Sequence, residues 1–206
     1  MTTTYTTTEA VINEIGGSTD PTIQAKVAAA ISAASRRIDK RCGRRFWQDT
    51  AVVVREFYAD DHDCLESRAG QVMDISTADG LVVKIDSAGD GSFATTLTLG
   101  TDFILTDPNA GDDGEAFTGI RMVGNQSLPV LRNGRPGVQI TAKFGWPTVP
   151  DDIATACLNQ SVFLYKGPDA AMGGLSFGDG AFMRMRSGLN PIAEDLVKGY
   201  AFASVA

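Results

Sequence analysis

The chain's only histidine, His62, lies in Ala59-Asp60-Asp61-His62-Asp63-Cys64, the one stretch where metal-ligating and general-base residue types crowd together. A transition-metal site needs ligands that converge on one ion, and consecutive residues diverge. There is no second histidine, and Cys42, Cys64 and Cys157 show no pair with metal-ligand spacing. The stretch therefore reads as an exposed acidic turn after a strand. Asp112, Asp113 and Glu115, near Asp107 and Asn109, offer oxygens for a hard cation, but they lack the ordered spacing of an EF-hand and read as a solvated loop. No phosphate-binding loop, nucleophile elbow or dinucleotide fingerprint occurs, because the glycines between 173 and 188 follow no strand-to-helix pattern. The sequence thus predicts no enzyme, no metal and no cofactor.

Positive charge is concentrated in one place: Arg36, Arg37, Lys40, Arg41, Arg44 and Arg45, set against Asp39 alone. At 100° per residue, Arg36, Lys40 and Arg44 form one row on a helix and Arg37, Arg41 and Arg45 the next. Two readings stay open. One is a solvated helix end whose cations complement the helix dipole. The other is an interface for an acidic neighbour or for nucleic-acid phosphate.

The element that carries these cations is a long amphipathic helix within 18–47. Thr19 or Asp20 can cap it, Pro21 suits its first position, and Gly43 breaks it. Ile23, Val27, Ala30, Ile31, Ala34, Ile38 and Cys42 recur at spacings of three and four, which makes one stripe facing a core. A threonine-rich start precedes a short helix, Glu9 to Ile15, capped by Thr8 and ended by Gly16-Gly17. Too short to stand alone, that helix should pack on the long one.

From about residue 50 to 146 the periodicity changes. AVVVREFYA, LVVKI, TTLTLG, DFILT, GIRMV, LPVL and GVQITAKFGW are short β-branched and aromatic runs separated by turn residues. They predict an antiparallel all-β insertion. After Pro147 and Pro150 a helix capped by Asp151 or Asp152 should run to about Lys166, with Ile153, Ala156, Cys157, Gln160, Val162, Leu164 and Tyr165 including its apolar face. A glycine-rich stretch, 173–188, follows, and Asn190-Pro191 starts a last short helix. The expected fold class is α+β: a small α-helical bundle, a large antiparallel β insertion and a flexible C-terminal arm. The expected division is 1–50 and 147–170 for the helical core, 51–146 for the insertion and 171–206 for the arm.

With 206 residues and 43% hydrophobic content, the chain can bury one sizeable core or a small domain plus an insertion. Its net charge of −7 argues against general nucleic-acid binding. Three cysteines point to a reducing compartment, no apolar run reaches membrane-spanning length, and the threonine-rich start lacks the pattern of a signal peptide. Between Asp49 and Gly119, fifteen acidic residues face only Arg55, Arg68 and Lys84. An acidic insertion beside a basic helix end and arm suits head-to-tail association of copies.

Three stretches in order resemble one family. Ala34-Ser35-Arg36-Arg37-Ile38-Asp39-Lys40-Arg41-Cys42-Gly43-Arg44-Arg45-Phe46 is similar to the helix end of tailed-phage head–tail connector (adaptor) proteins. Val138 to Pro150, with the helix that follows, resembles that family's last strand, Gly-Trp turn and returning helix. Gly91-Ser92-Phe93 through Asp102-Phe103-Ile104-Leu105 to Pro108-Asn109-Ala110 is similar to a β insertion of relatives from actinobacterial phages. The resemblance runs from about residue 6 to 166 and implies a neck ring, usually dodecameric, docked beneath the portal protein. A stopper or tail-completion protein would sit below it, genomic DNA would pass through without sequence-specific binding, and no membrane would be involved. Assembly would take place in the bacterial host cytoplasm. By that analogy Phe182, Met183, Arg184, Met185 and Arg186 contact the portal; from the charge division itself, the six cations of the long helix are expected to form the subunit interface by pairing with the acidic insertion of the adjacent copy. The alternatives are another neck component, such as a stopper or tail terminator, a DNA-binding module using the arginines, or an enzyme built on Asp60, Asp61, His62 and Asp63.

Overall fold

A computed structural model describes residues 3–131, 133–167, 174–177, 181–184 and 188–202, and shows an α+β fold. The chain separates into a helical unit, Met1–Arg44 with Val149–Phe202, and a β unit that begins at Arg45 and runs to Thr148.

In the helical unit, α1 spans Thr8–Glu14 and α2 spans Pro21–Cys42; α3, Asp151–Lys166, and α4, Pro191–Val197, follow the β unit in sequence. Asp20 caps α2, its Oδ1 accepting from the Thr22 N–H at 2.7 Å, and Pro21 opens the helix. Gly43 ends it at φ 70°, a left-handed conformation that glycine adopts without a Cβ clash, and its N–H returns to the Asp39 carbonyl. The expected stripe is the buried one: Val27, Ala30, Ile31, Ala34, Ile38 and Cys42 all lie inside, with Ile23 half-buried. Each fully buried Val or Ile there contributes about 1.5–3 kcal/mol of transfer free energy. Small residues on both helices let α2 approach α3, where Ser35 Oγ meets Cys157 Sγ at 3.4 Å and also accepts from the Tyr5 N–H. Gln160 of α3 is buried, and its Oε1 accepts from the Asn190 N–H at 2.7 Å, which holds the start of α4.

Two caps differ from expectation. Thr7, not Thr8, caps α1, its Oγ1 accepting from the Ala10 N–H. Pro150 occupies the cap position of α3 without a side-chain bond, so Asp151 and Asp152 fall in the first turn, where they oppose the positive end of the dipole.

The β unit holds two antiparallel sheets. One has the order β1-β7-β3-β4, from Val53–Phe57, Val138–Ala142, Val82–Ile85 and Thr95–Leu97. The other has the order β2-β6-β5, from Cys64–Glu66, Gly119–Met122 and Phe103–Leu105. Ile75 bridges Phe117 and Phe144, and one core unites Phe57, Met73, Ile75, Val83, Ile85, Phe103, Ile120, Ile140 and Phe144. Along β7 Val138, Ile140 and Ala142 are buried while Gln139 and Thr141 are half-exposed, the period-2 alternation of a strand with one face inward.

The LPVL run, 128–131, is not a strand. Pro129 has no N–H to give a ladder, and Leu128 is committed elsewhere: its N–H donates to the His62 carbonyl and its carbonyl meets His62 Nδ1, both at 2.8 Å. The acidic stretch is the exposed turn expected after β1: residues 60–63 are bends open to solvent, and β2 begins only at Cys64, where Leu65 is buried opposite Ile120 of β6.

A further antiparallel pair, β8, Gly174–Phe177, and β9, Ala181–Arg184, forms a hairpin in which Ser176 is opposite Phe182. Of the arm expected to be flexible, 174–177, 181–184 and 188–202 are described, and 171–173, 178–180, 185–187 and 203–206 lie outside the described residues.

Candidate interaction surfaces

The basic end of α2 is built by a helix that stops where Gly43 turns left-handed. Arg44 and Arg45 lie beyond the helix, so the expected rows shorten to Arg36–Lys40 and Arg37–Arg41. Most of these cations are engaged within their own unit. Arg36 pairs with Asp39 at 3.0 Å and donates to the Thr3 carbonyl. Arg41 Nε reaches Glu194 of α4 at 2.5 Å, and Arg37 donates to the Gly188 carbonyl at 3.3 Å. The Arg44 guanidinium stacks 4.2 Å from the Phe202 ring centroid, and the Phe202 N–H donates to the Cys42 carbonyl. Lys40 is exposed and has no ion-pair partner among the described residues. Beside this end opens a groove of about 590 Å³ lined by Arg41, Glu194, Asp195 and Lys198 among others.

Arg45 belongs to the β unit. It shares the Asp49 carboxylate with Arg55, at 2.6 and 3.2 Å, and lies over the Trp47 ring at 3.9 Å. Arg55 stacks on Phe144 at 4.2 Å, where burial and the nearby Arg45 charge lower its pKa. Half-buried cations tied to carbonyls, rings and carboxylates are poor ligands for a passing polyanion, because each would first have to break an existing contact.

The acidic stretch 60–64 is likewise engaged. Asp60 pairs with Arg68, Asp61 accepts from the Asp63 N–H, and His62 is bonded to Leu128. Among the described residues no three His, Cys, Asp or Glu side chains gather in a metal-holding group. Asp107 accepts from Thr118 Oγ1, and within the 107–115 loop the Ala110 N–H donates to the Asp107 carbonyl, those of Asp112 and Asp113 to the Asn109 carbonyl, and that of Glu115 to the Ala110 carbonyl. The thiols are protonated near neutrality: burial pushes Cys42 up to about 11 against the opposing charges of Arg41 and Arg44. Burial also raises Cys157 and Cys64, the latter with help from Asp61 and Glu66.

Of the arm residues named from the resemblance, Phe182, Met183 and Arg184 lie in β9, whereas Met185 and Arg186 fall outside the described residues. Sequence reading missed Glu194, Gly188 and Phe202 as partners of the cations. Their spacing, 151 to 158 positions, left no local signal.

Charge divides by unit. The helical unit carries ten acidic and ten basic residues, so the whole net charge of −7 resides in the β unit.

The fold defines a helical unit interrupted in sequence by an antiparallel β unit, and that architecture has counterparts among solved structures. No protein-family model matches the chain, and no curated protein matches its sequence. A chain in the neck of an empty gene transfer agent particle, computed with C6 symmetry, is similar with a TM-score of 0.52 at 16% identity, over 97% of this chain and 90% of that one. A chain in the neck of the native particle, computed with C12 symmetry, is similar with a TM-score of 0.48 at 18% identity, over 97% and 92%. One in the native virion of a gene transfer agent gives 0.41 at 19%, over 92% and 81%. At these identities the likeness to the empty-particle neck is one of fold.

Proposed function

We infer that this chain is a structural virion protein of the neck, a head–tail adaptor that forms a ring beneath the portal and leaves a channel for the genome. The observation that carries the reading is the fold likeness to a chain of a gene transfer agent neck, extending over 97% of this chain and 90% of that one. The C6 symmetry of that neck supports a ring of copies. The charge division supports it from another side: a β unit with seven excess negative charges would not grip a moving polyanion.

In this reading the portal, neighbouring copies and a stopper or tail-completion protein are the partners, and the chain performs no chemistry. The exposed cations Arg37 and Lys40 meet the acidic β unit of the next copy, while Arg41, Arg44 and Arg45 hold internal contacts. The β9 residues Phe182, Met183 and Arg184, with Met185 and Arg186, face the portal. The test is electron microscopy of the protein mixed with its cognate portal. A ring added at the portal's narrow end is the expected result. Bare portals, with the protein bound instead to tail tube or to duplex DNA, would refute it.

A further inference from the structure

Among the described residues no strand pairs with either edge of the four-stranded sheet, and the two edges are built differently. Edge strands normally carry a lysine, a proline or a bulge that stops pairing with another chain. β1 carries no lysine, proline or bulge; its charged residues are Glu56 and Arg55, and Arg55 is turned onto Phe144 of the core. Val52, Val53 and Val54 at its start are 49%, 37% and 58% exposed. At the other edge β4 presents Thr95 and Thr96 to solvent, followed by exposed Thr98 and by Leu99 at 44%.

The hydrogen-bond phase of the sheet determines which residues aim at each open edge. In an antiparallel ladder, opposed residues exchange bonds only in alternate pairs. The Asp86 N–H donates to the Gly137 carbonyl, so between β3 and β7 the bonded pairs are Lys84–Gln139 and Val82–Thr141. β7 then bonds β1 through Val138, Ile140 and Ala142, which use Phe57, Arg55 and Val53. Val54 and Glu56 are left pointing outward. The same alternation has β3 bond β4 through Val83–Leu97 and Ile85–Thr95, which leaves Thr96 pointing outward at the far edge.

An even number of strands makes these two edges match. They run in opposite directions, and their outward-bonding residues, Glu56 and Thr96, lie on the same face of the sheet, as the row Glu56–Gln139–Lys84–Thr96 shows. A second copy in the same orientation can therefore place its β1 beside β4 with both strand direction and sheet face preserved. An odd number of strands would put the meeting edges parallel and on opposite faces.

We propose that copies of this chain join head to tail by pairing β4 of one with β1 of the next, with Thr96 opposite the next copy's Glu56. This rests on the ring reading above and gives it a contact. In that register the solvent-facing row alternates charge across the joint: Lys84, Thr96, then Glu56 of the next copy, Gln139 and Lys84. Neighbouring positions are complementary as well. Thr98 falls opposite Val54, and Leu99 opposite Val53, so apolar side chains exposed at both edges cover one another. The Thr98 N–H is held by Asp102 and the Tyr58 N–H by Gln71, which bounds the ladder at both ends.

The test uses the full chain with Cys64→Ser to remove the partly exposed thiol. Glu56→Cys with Thr96→Cys in the same chain should give, under mild oxidation of the assembled ring, a covalent ladder of dimers, trimers and larger species; either single substitution should give none. Thr96→Pro removes an outward N–H and no ladder bond of its own sheet. It should leave the circular dichroism spectrum unchanged and lower assembly by about tenfold or more, as expected for the loss of one or two hydrogen bonds. Glu56→Lys should weaken assembly, and adding Lys84→Glu should restore it. Rings seen by electron microscopy without a ladder, and insensitive to Thr96→Pro, would overturn the strand pairing and leave the neck reading standing. Absence of any ring would overturn both. Covalent species that stop at dimers, formed by Glu56→Cys alone, would mean twofold β1–β1 pairing and would also overturn the proposal.

Discussion

Replacing Gly145 with alanine should damage the root of the β unit, and the size of the effect follows from geometry. Gly145 has φ 102°, and a Cβ built there lies 1.9 Å from the Trp47 carbonyl oxygen and 2.8 Å from its carbon. Comfortable contact needs about 3.5 Å, so the two segments must part by well over an ångström. That separation stretches the bond from the Gly145 N–H to the Asp74 carbonyl, 2.7 Å, and the bond from the Asp49 N–H to the Phe144 carbonyl, 2.8 Å. Each such bond contributes about 1 kcal/mol, and holding a side-chain-bearing residue at this φ costs about 1–2 kcal/mol more. The expected loss is about 3–4 kcal/mol, a large fraction of a domain's total stability. Urea unfolding followed by tryptophan fluorescence reads it directly, because the chain's two tryptophans, Trp47 and Trp146, flank the position. The midpoint should fall by about 2 M; a shift under about 0.3 M would refute the reasoning.

Asp86 is buried and accepts from the N–H groups of Gly89, Asp90 and Gly91, so Asp86→Ala should cost about 2–3 kcal/mol in the same unfolding assay. Asp20→Ala removes the cap of α2 and should lower stability by about 1 kcal/mol, measurable from helical circular dichroism during denaturation. The raised pKa of Cys42 means that the folded state holds this proton more tightly than the unfolded state. Its stabilisation is full below pH 9 and fades as pH rises toward about 11, and a Cys42→Ser variant should lack that part of the alkaline decline. Arg37→Glu with Lys40→Glu should weaken ring assembly and reverse its dependence on salt, since neither holds an ion pair among the described residues; sedimentation at two ionic strengths checks it.

The helices were legible because their signals are local. Asp20, Pro21 and Gly43 act within one turn of the backbone they cap, and the stripe from Val27 to Cys42 repeats at helical spacing whatever it packs against. Six of the seven expected β runs are strands for the same reason: alternation and turn chemistry are short-range. The α3 cap was misplaced by one residue, as capping depends on φ and ψ as well as residue type.

What the sequence by itself determined, then, was which segments bury a face and where they end. Strand order, the pairing of Leu65 with Ile120 that makes a short strand directly after the acidic turn, and the capture of Arg41 by Glu194 were decided by the tertiary structure. So was the match between the open edges of β1 and β4. A strand's partner is chosen by the core it must cover, and an ion pair between positions 41 and 194 exists only after intervening elements have packed. Neither leaves a mark on its neighbours in the chain.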